Sequence, residues 1–244
     1  MIKIEGRNPV IEALKSDRYI DKIMIASGAK EGSINKIIRM AKDKGIIVQE
    51  VDRKKLDEIS ESHSHQGVIA IGSDYKYYEL DELLEIPRQK GEDPFFIILD
   101  EITDPHNLGS IMRSADAVGA HGIIVPKRRS ASITPVVAKA SAGAVEYMPI
   151  CKVTNIVNAI NKLKENGIWT VASDMDGDTY YEKNLKGPLA LVVGSEGFGI
   201  SRLVKENCDF TVKIPMVGNV SSLNASVACS ILAYEIFRQR IESK

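Results

Sequence analysis

The chain has 244 residues, 44% of them hydrophobic and 27% charged, with a formal net charge of -1. That length fits one large or two small domains, and the near-neutral charge does not mark a nucleic-acid binder, although a local basic face would suffice for one. The cysteines Cys151, Cys208 and Cys229 lie far apart with no Cys-x-x-Cys spacing, which argues against a disulfide framework or a zinc site. Apolar runs such as Phe95 to Leu99 are too short to span a bilayer, and Met1 to Arg7 lacks a signal-peptide h-region. The expected setting is cytoplasmic, with no membrane and no metal.

In chain order, Asn8-Pro9 opens a short helix through Leu14, and Lys22 to Ala26 reads as a strand. Ser33 caps a helix carrying Ile34, Ile37, Ile38 and Ala41 on one face, closed by Gly45. Ile46 to Val51 is a strand, Asp52 caps a helix to about Ser60, and Gly67 to Ile71 is a third strand. These elements form a small α/β unit over residues 1–72. Residues 73–94 follow as a linker, with an acidic helical stretch to Glu85 and then the polar run Pro87 to Pro94.

From Phe95 the pattern changes. Phe95 to Leu99, Gly122 to Val125, Thr170 to Ala172, Leu189 to Val193 and Phe210 to Ile214 resemble strands buried on both faces. Helical patterns alternate with them: Leu108 to Val118, Pro135 to Ala142 after a Thr134 cap, Ile156 to Glu165, Arg202 to Glu206 and Leu223 to Ile241. The alternation predicts an α/β fold over residues 95–244, an open and mostly parallel sheet with helices on both faces. Ligands in such sheets lie at the carboxyl ends of strands.

Three segments leave those strand ends. The first is Asn107-Leu108-Gly109-Ser110-Ile111-Met112-Arg113. Asn107 could be an N-cap and Arg113 a solvated cation, but a guanidinium among apolar neighbours is costly without an anion. The second is Gly194-Ser195-Glu196-Gly197-Phe198-Gly199. Its carboxylate would repel a phosphate, so the loop suits another ligand, with Glu196 holding a polar or cationic group. The third runs from Ile214-Pro215-Met216 to Ser222-Leu223-Asn224-Ala225-Ser226, where Ser221 or Ser222 is expected to cap the last helix.

Rival chemistries fit poorly. A dinucleotide fold needs G-x-G-x-x-G after its first strand, a P-loop needs Gly-Lys-Ser/Thr, and a serine hydrolase needs G-x-S-x-G. His63 and His65 sit two apart in a polar loop that reads as solvent-exposed, and His106 and His121 are isolated.

Taken in this order, the three segments resemble the motifs of the SpoU/TrmH family of RNA ribose 2′-O-methyltransferases, in the SPOUT class. The N-terminal part resembles the ribosomal-protein-L30e-like substrate-binding domain of the 23S rRNA guanosine methyltransferase branch, through Gly6 to Leu14 and His65-Gln66-Gly67. The resemblance implies a C-terminal trefoil knot, S-adenosylmethionine as cofactor, RNA as substrate and a homodimer with active sites built across its interface. It implies cofactor contacts at Gly194, Ile214 and Leu223, with Gly199 and Met216 beside them. Arg113 is the residue it assigns to the ribose hydroxyl, with Asn107, Glu196, Ser222 and Asn224 positioning the reactants. Because arginine stays protonated, a substrate phosphate is an alternative proton acceptor. Arg7 and the triplet Lys127-Arg128-Arg129 are candidate RNA contacts. A tRNA ribose 2′-O-methyltransferase and a non-catalytic RNA-binding module are the rival readings.

Overall fold

The computed structural model describes residues 2–15, 19–29, 32–62, 64–72, 75–220 and 222–242. The chain divides into two compact units, Met1–Lys76 and Tyr77–Lys244.

In the first unit the order is β1 (Ile2–Glu5), α1 (Arg7–Lys15), β2 (Ile20–Ala26), α2 (Ser33–Asp43), β3 (Ile47–Val51), α3 (Arg53–Ile59) and β4 (Val68–Gly72). The sheet runs β1-β4-β2-β3, with β4 antiparallel to both neighbours and β2 parallel to β3. Every residue of β4 is buried, because Val68 and Ala70 face one apolar cluster and Ile69 and Ile71 the other. This explains its unbroken apolar run. Strand β1 is not among the expected elements: four alternating residues give little local signal, and only pairing with distant β4 makes them a strand. Asp52 caps α3 as expected, but α2 starts at Ser33 itself, with Gly32 at φ 58° in the cap position.

The second unit begins inside the expected linker. Helix α4 (Leu80–Lys90) has a capping box between Glu79 and Glu82 and ends at Gly91, whose φ of 65° is left-handed. The expected helical stretch to Glu85 therefore runs on to Lys90, into the segment read as a polar connector. The helix absorbs Pro87 because Leu83 and Leu84 bury themselves against the sheet, contacts that outweigh one lost backbone hydrogen bond. Then follow β5 (Phe95–Asp100), α5 (Pro105–Ala117), β6 (Gly122–Pro126), α6 (Pro135–Ala140), β7 (Ile150–Val153), α7 (Ile156–Glu165), β8 (Trp169–Thr179), β9 (Leu189–Gly194), α8 (Arg202–Asn207), β10 (Phe210–Lys213) and α9 (Ala225–Ile241).

All pairings in the six-stranded sheet are parallel, in the order β10-β8-β9-β5-β6-β7. Helices α4, α7 and α8 pack on one face, against Phe96, Ile98, Ala190 and Val192. Helix α5 packs with α6 and α9. Strand β7 escapes the sequence pattern because buried Lys152 interrupts its apolar run. The Thr134 cap and the bounds of α7 match expectation.

Candidate active site

Parallel strands deliver their carboxyl ends to one edge of the sheet, and three segments leave it together. Asp100 closes β5 in register with Gly194 of β9. It is buried, and its Oδ2 accepts the N–H of Ser201, 2.7 Å away, at the start of α8. Asp100 thereby ties the exit of the glycine loop to the central strand, a role not read from the sequence although the residue directly follows a predicted strand.

The glycine loop is a closed turn. Ser195 N–H donates to the Gly199 carbonyl at 3.1 Å, and Gly199 N–H returns a bond to the Ser195 carbonyl at 2.8 Å. A Cβ on Gly194 would stand 2.1 Å from the Gly199 carbonyl carbon, so no other residue fits there without moving the loop. Phe198 is 94% exposed at the tip.

Glu196 leaves this loop and joins all three segments. Its Oε1 accepts from Asn107 Nδ2 at 2.7 Å, from Asn224 Nδ2 at 2.6 Å and from Ala225 N–H at 3.4 Å. Asn224 Nδ2 also reaches Asn107 Oδ1 at 2.9 Å. The partners are thus two side-chain amides and a backbone amide, where a polar or cationic ligand group was expected. Asn107 is buried in the first turn of α5; the N-cap of that helix is Asp104, not Asn107.

Asn224 caps α9, its Oδ1 accepting from the N–H groups of Ser226 and Val227. This corrects the expected serine cap: the helix starts at Ala225, and Ser222 is exposed and free to face a ligand. Ser221 lies outside the described residues. Capping with Oδ1 turns Nδ2 toward Glu196, so one asparagine both starts the helix and closes the network.

Beside the network is a cavity of ≈ 360 Å³, within the range of small-ligand pockets. Gly194, Gly199, Ile214, Met216 and Leu223, the five expected cofactor contacts, all line it, as do Glu196 and Ser222. Ser173, Asp174 and Met175 line it from the middle of β8. Sequence reasoning misses these three, although they directly follow the predicted strand Thr170 to Ala172.

Arg113 is not in this lining. It is exposed on α5 and makes no ion pair among the described residues, so the burial cost expected for its guanidinium is not incurred. The basic triplet divides: Arg129 Nη1 pairs with Glu101 Oε1 at 2.8 Å, whereas Arg128 is exposed and Lys127 half-buried. Glu101 and Arg129 both hold left-handed backbone, at φ 60° and 56°.

In the first unit, Arg7 donates its N–H to Gln66 Oε1 and its Nε to the Gln66 carbonyl, at 3.3 and 3.2 Å. His65 is buried rather than exposed. Its Nδ1 accepts the Gly67 N–H at 3.0 Å and its Nε2 lies 2.8 Å from Asp57 Oδ1, so it fixes the turn carrying Gln66. His63 lies outside the described residues. His121 is not isolated: it is buried, accepting from Phe95 N–H and pairing with Glu92. No grouping of three or more potential metal ligands is found among the described residues.

The SpoU rRNA Methylase family matches residues 94–234, more than half of the sequence. The chain belongs to the SpoU methylase family. A second family, described as RNA 2′-O ribose methyltransferase substrate binding, matches residues 3–78. YacO of Bacillus subtilis, named as a TrmH family tRNA/rRNA methyltransferase, is 53% identical over 96% of this chain and 94% of its own. The SpoU methyltransferase AviRb from Streptomyces viridochromogenes, solved with AdoMet, superposes with a TM-score of 0.62 at 27% identity, covering 99% of this chain and 91% of its own. The TrmH/SpoU tRNA-modifying enzyme of A. aeolicus, with a TM-score of 0.57 and 31% identity, covers 67% of this chain and 85% of its own. This SpoU protein is an S-adenosylmethionine-dependent RNA 2′-O-ribose methyltransferase.

Proposed function

We propose that the cavity bounded by Gly194, Ile214 and Leu223 holds S-adenosylmethionine, and that the substrate is a guanosine of 23S rRNA. One observation carries the cofactor assignment: the five residues expected from the family motifs come from two separate segments and gather around a single cavity. The cradle also fits, because the absent side chain of Gly194 lets the loop close on Gly199, and both glycines line the cavity.

The bound cofactor supplies an electrophilic methyl group to the ribose oxygen. The chain supplies position. Glu196, Asn107 and Asn224 lock the glycine loop, α5 and α9 into one frame. Ser222 offers a hydroxyl at the cavity wall. Arg113, exposed and unpaired among the described residues, is available to a phosphate of the substrate and aligns it as acceptor of the hydroxyl proton. Arg7, Lys127 and Arg128 are further phosphate contacts, and Arg129 takes part after exchanging Glu101 for phosphate.

Helix α9 supports a homodimer. Val227, Tyr234 and Ile241 recur every seven residues and are 46%, 50% and 52% exposed, which leaves an apolar stripe uncovered on a long helix. A second copy covering that stripe would bring its own groups beside Arg113, since α5 and α9 are packed together. The trefoil knot expected from the family motifs is part of the same reading. The rRNA target is favoured by the substrate-binding match at 3–78, because the A. aeolicus tRNA enzyme aligns with a share of the chain about equal to the second unit alone. A cytoplasmic setting accords with three cysteines that are free of disulfides.

The test has two arms. Arg113→Ala is expected to retain cofactor binding and lose methyl transfer; transfer at the wild-type rate would remove Arg113 from the mechanism. Ribose-methylation mapping with and without the gene is expected to show one 23S guanosine changing, and a changed tRNA site instead would overturn the target.

A further inference from the structure

The cavity has a wall that belongs to no motif. Strand β10 pairs Phe210 and Thr211 with Val171 and Ala172, and then Val212 and Lys213 with Asp178 and Thr179. The register jumps in a single step on β10, so residues 173–177 of the β8 chain bulge away from the ladder. Ser173, Asp174 and Met175 in that bulge line the cavity, and Met175 is 50% exposed. Gly177 lets the chain return against β10, where a Cβ would stand 2.6 Å from the Thr211 carbonyl carbon.

A bulge of this length has little strand pairing to hold its shape, and one side chain supplies a substitute. Lys205 Nζ lies 2.6 Å from each carboxylate oxygen of Asp176 and 3.2 Å from Asp174 Oδ2. Its side chain is 26% exposed, more shielded than an ordinary surface lysine. The hydrogen bond to Asp176 raises the Lys205 pKa against the opposing effect of burial, and the same bond lowers that of Asp176. Lys205 sits on α8, the helix that follows the glycine loop and is anchored by Asp100 through Ser201. The two carboxylates at one end of this bridge are in the bulge; the helix at the other end continues from the loop. The bulge and the glycine loop both line one cavity.

We propose that Lys205 is a positioning residue for the methyl donor: by clamping Asp174 and Asp176 it holds the 173–177 bulge in place as part of the cofactor's cavity. The proposal rests on the reading that this cavity holds S-adenosylmethionine. Lys205 itself touches neither the cofactor nor the reacting atoms. Its effect is on how well the wall is preformed, and therefore on the affinity for the donor rather than on the transfer step.

Titration calorimetry with S-adenosylmethionine, together with initial rates against its concentration, tests this on Lys205→Ala, Lys205→Arg, Asp176→Asn and Gly194→Ala. Lys205→Ala is expected to raise both Kd and KM for the donor on the order of tenfold, with a much smaller fall in kcat at saturation. Lys205→Arg restores most of the affinity, because a guanidinium also bridges carboxylates. Asp176→Asn, a surface change that leaves the lysine in place, shifts Kd in the same direction by less. Added NaCl weakens wild-type affinity more than that of Lys205→Ala, since salt screens the ion pairs that only the wild type makes. Gly194→Ala abolishes binding if the cavity is the donor site. Wild-type affinity in Lys205→Ala and Asp176→Asn alongside lost binding in Gly194→Ala overturns the clamp alone. Wild-type affinity in all three overturns the cavity assignment as well.

Discussion

Replacing Glu196 by alanine isolates the interaction that joins the three motif segments. Oε1 of Glu196 accepts three hydrogen bonds, but they are not of equal weight. Asn224 is exposed at a helix start, where water can substitute for a missing partner, and the Ala225 bond is long, at 3.4 Å. Asn107 is only 6% exposed, so its Nδ2 is left without the Glu196 acceptor and with little access to solvent. A buried donor left unsatisfied costs about 1–3 kcal/mol, and the exposed bonds add a few tenths each after screening. A loss of about 2 kcal/mol is therefore expected, or roughly 4–8 °C in Tm for a domain of this size. Glu196→Gln keeps an acceptor oxygen in the same place and is expected to cost less than half as much. Asn107→Asp sets a second carboxylate against Oε1 and is expected to cost more than Asn107→Ala.

Urea unfolding followed by fluorescence of Trp169, the single tryptophan, at the start of β8, reads these changes. The decisive form is a double-mutant cycle between Glu196→Ala and Asn107→Ala. Once Asn107 is gone, removing Glu196 strands no buried donor, so a coupling of about 1–2 kcal/mol is expected. A coupling below about 0.3 kcal/mol, or an unchanged midpoint in Glu196→Ala, would refute the reasoning and return Glu196 to the role of a free ligand-binding carboxylate.

Val227→Glu combined with Tyr234→Glu places two charges on the exposed stripe of α9; sedimentation is expected to show a monomer with reduced transfer, and an unchanged dimer would move the interface elsewhere. Burial lowers the pKa of His121 below its ordinary 6.5, against the opposing bond to Glu92. The folded state then binds fewer protons than the unfolded one, so Tm should fall as pH drops below 6.5. His121→Asn, which keeps an acceptor near Phe95 N–H, should flatten that fall, and an identical pH profile would contradict it. Neutralising Lys127 and Arg128 should reduce the salt slope of RNA binding by about one for each phosphate that the loop no longer neutralises, and an unaltered slope would remove that loop from the interface.

What is legible in the sequence follows the range of the forces involved. Strands β4, β5 and β9 are buried on both faces, so their apolar runs announce them. The Asp52 and Thr134 caps act over two or three residues and are readable directly. Strands β1 and β7 are short and exist through partners far along the chain, Ile4 with Ala70 and Cys151 with Ile124. The polar run at Pro87 to Pro94 looks like a linker because proline and glycine mark turns, yet the burial of Leu83 and Leu84 decides in favour of helix.

The candidate site divides along the same line. Its residues can be named in advance because the motifs are local strings, and the five expected cofactor contacts do share one cavity. Their partners cannot. That Asn224, rather than Ser222, caps α9 depends on Glu196, 28 residues earlier, taking the other end of the same amide. An asparagine that only capped would be replaceable by serine or aspartate with little loss. Here serine would lack the Nδ2 donor, and aspartate would face Glu196 with a second negative charge. The asparagine is required by the two demands together, and the second of them becomes visible only when the three segments meet in the fold.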